Sequence, residues 1–215
     1  MKSSKSTIKN STSNVTKQIE IDVNQSFNDD SYVIGVDPSS IHSAMVLCKG
    51  FALTPIDKVL IDNNQFIRYF KKTIKEYKKN DLFVAIEGLE CLGQIVGKNV
   101  FDTAYFIGRL IQICADNKVT TKIIYRKEEK IVICHDLFAN DSKIRQILID
   151  EFGDKGSKKN PGFFYGFSKD IWNAFAVAVV YRDKYTNYYQ IQFDNYKRLQ
   201  YIGQATDSQN VTAVL

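Results

Sequence analysis

The stretch Ser31–Ser40, "SYVIGVDPSS", decides the fold. Tyr32 to Val36 form a nearly continuous apolar run, the composition of a strand covered on both faces of a sheet. The run ends on Asp37, and a proline follows at once. Open α/β sheets place their ligands at strand ends, where a rigid frame delivers side chains into a crevice. The plainer reading is a turn-forming aspartate before proline. Asp37 therefore acquires a role only if the rest of the chain supplies partners for it.

Outward from this strand, "HSAMVLCKG" (42–50) and "ALTPIDKVLI" (52–61) read as two further strands of a meander. In "NNQFIRYFKKTIKEYKK" (63–79), Phe66, Ile67, Phe70, Ile74 and Tyr77 recur at helical spacing between lysines, which predicts an amphipathic helix. "LFVAIEG" (82–88) is a second apolar strand that ends on a carboxylate, Glu87. A helix from Val100 to Asp116, a strand "TKIIYR" (121–126), a helix containing "DSKIRQILIDEF" (141–152) and a last helix "SKDIWNAFAVAVVYRDKY" (168–185), with Ser168 as N-cap, complete the pattern. The expected fold is α/β: a five-stranded mixed sheet, three strands in an antiparallel meander plus two parallel strands, with helices on both faces. Residues 1–29 are rich in Ser, Thr, Asn and Lys and predict a flexible tail. Residues 30–185 form the domain, and 186–215 read as a C-terminal extension, partly packed or disordered.

At 215 residues and 44% hydrophobic, the chain can bury one substantial core. A net charge of +5 is mildly basic, compatible with a polyanionic partner and equally with a solvated surface. No run of 18 apolar residues exists and the N-terminus lacks the apolar core of a signal peptide, so the expectation is a cytoplasmic protein without a membrane partner. Cys48, Cys91, Cys114 and Cys134 are widely spread, and with His42 and His135 they make no zinc pattern; reduced thiols are expected.

If the strands ending in Asp37 and Glu87 are parallel neighbours, their carboxylates meet. Asp170, in the first turn of the last helix, and Asn173, at i+3 on the same face, can join them. Three carboxylates and an amide oxygen suit Mg²⁺ or Mn²⁺. Two such ions about 3.5–4 Å apart can activate a water and stabilise the leaving 3′ oxygen of a phosphodiester. The loop "KGSKKNPGFFYGFS" (155–168) sets Lys155, Lys158 and Lys159 before Phe163, Phe164 and Tyr165, cations for phosphates and rings for unpaired bases. The competing reading is that these rings anchor a long loop to the core. Lys127, Lys130 and Lys143 either face phosphate or coat a surface.

"IGVDPSS", "VAIEG" and "SKDIWNAFAVAVV" together resemble the three catalytic blocks of RuvC-type Holliday-junction resolvases of the ribonuclease H-like superfamily. "YRKEEKIVICHDLFANDSKIRQILIDEFG" is similar to that family's lysine-containing stretch before the final helix, and the second half of the chain resembles phage-encoded members. The likeness spans roughly residues 31 to 184. It implies that Asp37, Glu87 and Asp170 bind metal, Mg²⁺ or Mn²⁺ and two ions of it, with Asn173 where the family commonly has a fourth acid. It implies a metal-dependent, structure-selective endonuclease acting on branched DNA, in a host cytoplasm if phage-encoded. A homodimer would suit paired cuts, with "VFDTAYFIGRLIQIC" (100–114) as a candidate surface. Two departures stand out: Asn173 lacks charge, and Glu90 stands where some members carry an aromatic. The alternative is a catalytically weakened relative acting as a DNA-binding or structural component. Actin-like kinases share a related sheet but need a duplicated domain and Gly-rich phosphate loops absent here.

Overall fold

Alternation along the central strand sorts the core into two layers, one on each face of the sheet. The computed structural model describes residues 27–90, 93 and 96–186. Five strands run β1 Tyr32–Asp37, β2 His42–Lys49, β3 Thr54–Asp62, β4 Leu82–Gly88 and β5 Thr120–Tyr125. Five helices run α1 Asn63–Tyr77, α2 Lys98–Asp116, α3 Arg126–Cys134, α4 Asp141–Phe152 and α5 Lys169–Tyr185. The sheet order is β3-β2-β1-β4-β5. β1 to β3 form the antiparallel meander, while β4 and β5 lie parallel to β1 on its other side. The expected five-stranded mixed sheet is the observed one.

Successive strand residues point to opposite faces. Val33, Ala44, Val46, Phe83 and Ala85 accordingly pack with α5 and the aromatic loop before it. Ile34, Val36, Met45, Leu47, Val84 and Ile86 pack with α1 and α2. Continuing the parity of Val33 and Gly35 puts Asp37 on the α5 face, and continuing that of Phe83 and Ala85 puts Glu87 there too. Small residues let the helix approach closely: a Cβ added to Gly35 would lie 2.0 Å from the Ala174 carbonyl oxygen. The same glycine that interrupts the apolar run thus brings α5 against the strand end.

Two local expectations are corrected. The strand expected through Arg126 stops at Tyr125, and α3 begins with Arg126. The Tyr125 N–H donates to Glu128 Oε2 at 3.1 Å, and Glu128 and Glu129 occupy the first turn, where carboxylates are favoured by the helix dipole. Ser168 does stand at the N-cap of α5, but its side chain makes no capping hydrogen bond. Cys48, Cys114 and Cys134 are free thiols. Cys91, residues 1–26 of the expected tail and residues 187–215 of the expected extension lie outside the described residues. Among the described residues no helix is long and apolar enough to cross a membrane.

Candidate active site at the strand ends

β1 and β4 pair in parallel with Val36 opposite Ile86, so the next step along both strands is Asp37 and Glu87. Both carboxyl groups sit half-buried. Burial raises the Asp37 pKa; the Asn173 hydrogen bond opposes this, and the charge of Asp170 adds to it. Burial also raises Glu87, followed by the charges of Glu129 and Asp37. Glu87 is thereby pushed toward its neutral form, in which it can donate a hydrogen bond to the Asp37 carboxylate. From α5, Asn173 Nδ2 donates to Asp37 Oδ2 at 3.0 Å. The structure thus brings together Asp37, Glu87 and Asn173, with Asp170 close enough for its charge to be felt.

Two further residues complete this neighbourhood, and neither stood out in the sequence. Arg126 and Glu129 form an ion pair, and Arg126 also pairs with Asp141. Burial alone would lower the Arg126 pKa, but Glu129, Asp141 and Glu87 outweigh it and hold the guanidinium charged. Glu129 has no solvent-exposed surface. Its pKa is raised by burial and by Asp37, against the pull of Arg126. The available signal was the Arg-x-x-Glu spacing at the start of a helix, which puts the pair one turn apart beside a strand end.

The donor set is entirely oxygen, which suits a hard divalent cation. The crowding that drives these acids toward their neutral forms is what an inserted cation would relieve. As the side chains are posed, no group of three or more His, Cys, Asp or Glu among the described residues stands ready to hold a metal ion. Asp37 is turned to Glu87 and Asn173 instead, and Asn173 faces it with nitrogen. Ligation by the amide oxygen requires a half-turn of that group.

The basic and aromatic candidates are placed unevenly. Lys155, Lys158 and Lys159 are exposed on the loop into α5. Tyr165 is exposed as well, whereas Phe163 is half-buried. Phe164 corrects the sequence reading: it has no exposed surface, and its ring lies 4.2 Å from that of Trp172 and 5.3 Å from that of Phe175. No base can stack on it without opening the core, so the loop-anchor reading holds for this ring. Lys127 pairs with Glu90 at 3.5 Å and Lys143 with Asp136 at 2.7 Å, while Lys130 is half-buried on α3. On the other side of the strand ends an open pocket of about 350 Å³ lies between Ser40, Ile41, Asn63, Tyr105 and Arg109.

No family model and no curated protein matches the sequence. Among solved structures, the chain is similar to Thermus thermophilus RuvC in complex with a Holliday junction substrate. The TM-score is 0.57 at 11% identity, covering 71% of this chain and 93% of that one. A second Thermus thermophilus RuvC structure gives 0.52 at 14% identity, covering 70% and 92%. The fold is therefore the ribonuclease H-like α/β fold in its RuvC form.

Proposed function

We propose that the protein is a divalent-cation-dependent endonuclease that cuts phosphodiester bonds in branched DNA. Two carboxylates at neighbouring parallel strand ends, with an acid and an amide delivered against them by one buried helix, carry this reading. The likeness to a RuvC solved with a Holliday junction supports the substrate class. When bound, one Mg²⁺ or Mn²⁺ ion or a pair supplies Lewis-acid activation for phosphodiester hydrolysis. Asp37, Glu87 and Asp170 would hold it. Asn173 fixes the orientation of Asp37 through its amide.

The exposed Lys155, Lys158 and Lys159 neutralise phosphates leading toward the α5 N-terminus, and Tyr165 offers a face to an unpaired base. Lys127 and Lys143 would exchange their carboxylate partners for phosphate, with Lys130 between them on the same stretch. Paired cuts at a symmetric junction need two active sites, which favours a two-fold dimer. Phe101 and Tyr105, 50% and 70% exposed one turn apart on α2, suit such an interface.

Cleavage of a synthetic four-way junction, beside linear duplex and flap controls in Mg²⁺ and in Mn²⁺, tests the proposal. Junction cutting that is lost in Asp37→Asn and Glu87→Gln, with junction binding retained, is the expected result. The second reading, a DNA-binding relative without activity, is favoured by the neutral Asn173 bonded to Asp37. It predicts junction binding with no cutting in either metal.

A further inference from the structure

We infer that Glu129 is a fourth carboxylate ligand of the divalent-cation site, supplying from α3 the charge that Asn173 does not supply from α5. The inference rests on the reading of Asp37, Glu87 and Asp170 as metal-binding residues. Three observations carry it.

The first is topological. β5 lies beside β4, with Glu87 opposite Ile124 and Gly88 opposite Tyr125. Arg126 follows Tyr125 directly, so α3 begins at the end of the strand beside the one that carries Glu87.

The second is an orphaned atom. Glu129 is fully buried; Oε2 accepts from Arg126 Nη1, while Oε1 has no hydrogen-bond partner among the described residues. A buried carboxylate oxygen left unmatched has given up its water without gaining a hydrogen bond in return. Arg–carboxylate pairs frequently engage both oxygens in the guanidinium fork, and this one engages a single oxygen of Glu129. The other arm of Arg126 goes instead to Asp141.

The third is charge balance. A single guanidinium, that of Arg126, is divided between Glu129 and Asp141. With Asp37 and Asp170 included, the carboxylates outnumber the cation, and the orphaned Oε1 is the acceptor still open to a metal.

The experiment is Mn²⁺ binding to the full chain without DNA, followed by calorimetry and by the rise in melting temperature that Mn²⁺ produces. Glu129→Gln keeps shape and an acceptor for Arg126 but removes the charge. It is expected to weaken Mn²⁺ binding at least tenfold and to shrink the Mn²⁺-induced melting shift, while Glu76→Gln on the exposed side of α1 leaves both unchanged. Adding Asn173→Asp to Glu129→Gln is expected to restore much of the lost affinity, because it returns a carboxylate to the same site. Each variant is compared with itself with and without metal, so a change in its metal-free stability does not obscure the result. Should Glu129→Gln not fold, Glu129→Asp, which keeps the charge on a shorter arm, must still bind Mn²⁺, with altered affinity. Wild-type affinity in Glu129→Gln, in the shortened variant, or no recovery in the double variant would overturn the assignment of Glu129 and leave the nuclease reading standing. Absence of saturable Mn²⁺ binding in the wild type, or binding insensitive to Asp37→Asn, would overturn the metal site itself and Glu129 with it.

Discussion

Gly35→Ala tests the link between packing and site most directly, because one methyl group there reaches both. The added Cβ would lie 2.0 Å from the Ala174 carbonyl oxygen and 3.1 Å from the Ala178 Cβ. Ordinary contact begins near 3.4 Å, so helix and strand must separate by more than ~1 Å, and because the obstacle is backbone no side-chain rotation can relieve it. Overpacking of this kind costs about 1–3 kcal/mol, against which alanine recovers only about 0.4–1 kcal/mol through the unfolded chain. The same displacement carries Asn173 Nδ2 from 3.0 Å to about 4 Å from Asp37 Oδ2, beyond hydrogen-bonding range. The expected outcome is a lower urea midpoint together with weakened Mn²⁺ binding and junction cutting in molecules that remain folded. Gly108→Ala is the matched control: a Cβ there meets nothing within 4 Å, and in a helix the change is worth up to about 1 kcal/mol in the stabilising direction. An unchanged midpoint and unchanged metal binding in Gly35→Ala would refute the claim that α5 is held against β1 at this point.

Asn173→Asp replaces the donor to Asp37 with a like charge, so the metal-free protein should melt at lower temperature while half-maximal cutting needs less metal; insensitivity of both would put residue 173 outside the site. Stability of the metal-free protein should depend on pH through Glu87. Its folded pKa is raised above the ordinary value of 4.5, so the folded state keeps a proton that the unfolded chain releases, and stability falls as pH climbs from about 4.5 through neutrality. Melting curves in a chelator should show that decline flattened in Glu87→Gln; equal slopes in both proteins would contradict the burial and repulsion inferred there. Phe164→Ala should cost about 3–5 kcal/mol in urea unfolding, as expected for a ring with no exposed surface. Lys158→Ala with Lys159→Ala should leave the midpoint unchanged, weaken junction binding and reduce its salt dependence. A surface-like cost for Phe164→Ala, or salt dependence unmoved by the lysine changes, would reverse their assignments.

The fold was legible because its signals are local and redundant. "YVIGVD" and "LFVAIEG" are apolar on both faces, so they belong in the middle of the sheet, and their flanking patterns alternate as meander strands and amphipathic helices do. The strand parity that turns Asp37 and Glu87 to one face is equally a property of the sequence, once the register of β1 on β4 is known. Phe164 was harder to place, because "FFY" after a lysine run has the composition of a nucleic-acid loop and also that of an anchor. Only the ring packing of Phe164 on Trp172 and Phe175, against the exposure of Tyr165, separates those uses within three consecutive residues.

Glu129 was not legible, for a physical reason that bears on how such sites are read. In "RKEEKIVIC" it sits among charges, the ordinary composition of a solvated helix start, and its neighbour Glu128 does what that composition predicts by pairing with Lys184 and the Tyr125 N–H. The helix pitch turns Glu129 about 100° from Glu128, which is enough to direct it inward rather than toward solvent. Burial of a carboxylate is tolerated only where a positive partner is provided, and Arg126, one turn earlier, provides it. The partner is shared with Asp141 and leaves one oxygen of Glu129 unmatched, so the arrangement is stable enough to fold yet incompletely neutralised. A buried acid with a single divided counter-charge, beside two strand-end carboxylates, is a place where an added cation would lower the energy of the carboxylates. Sequence spacing alone could not distinguish that position from its neighbour, because the difference lies in which side of α3 is turned into the protein.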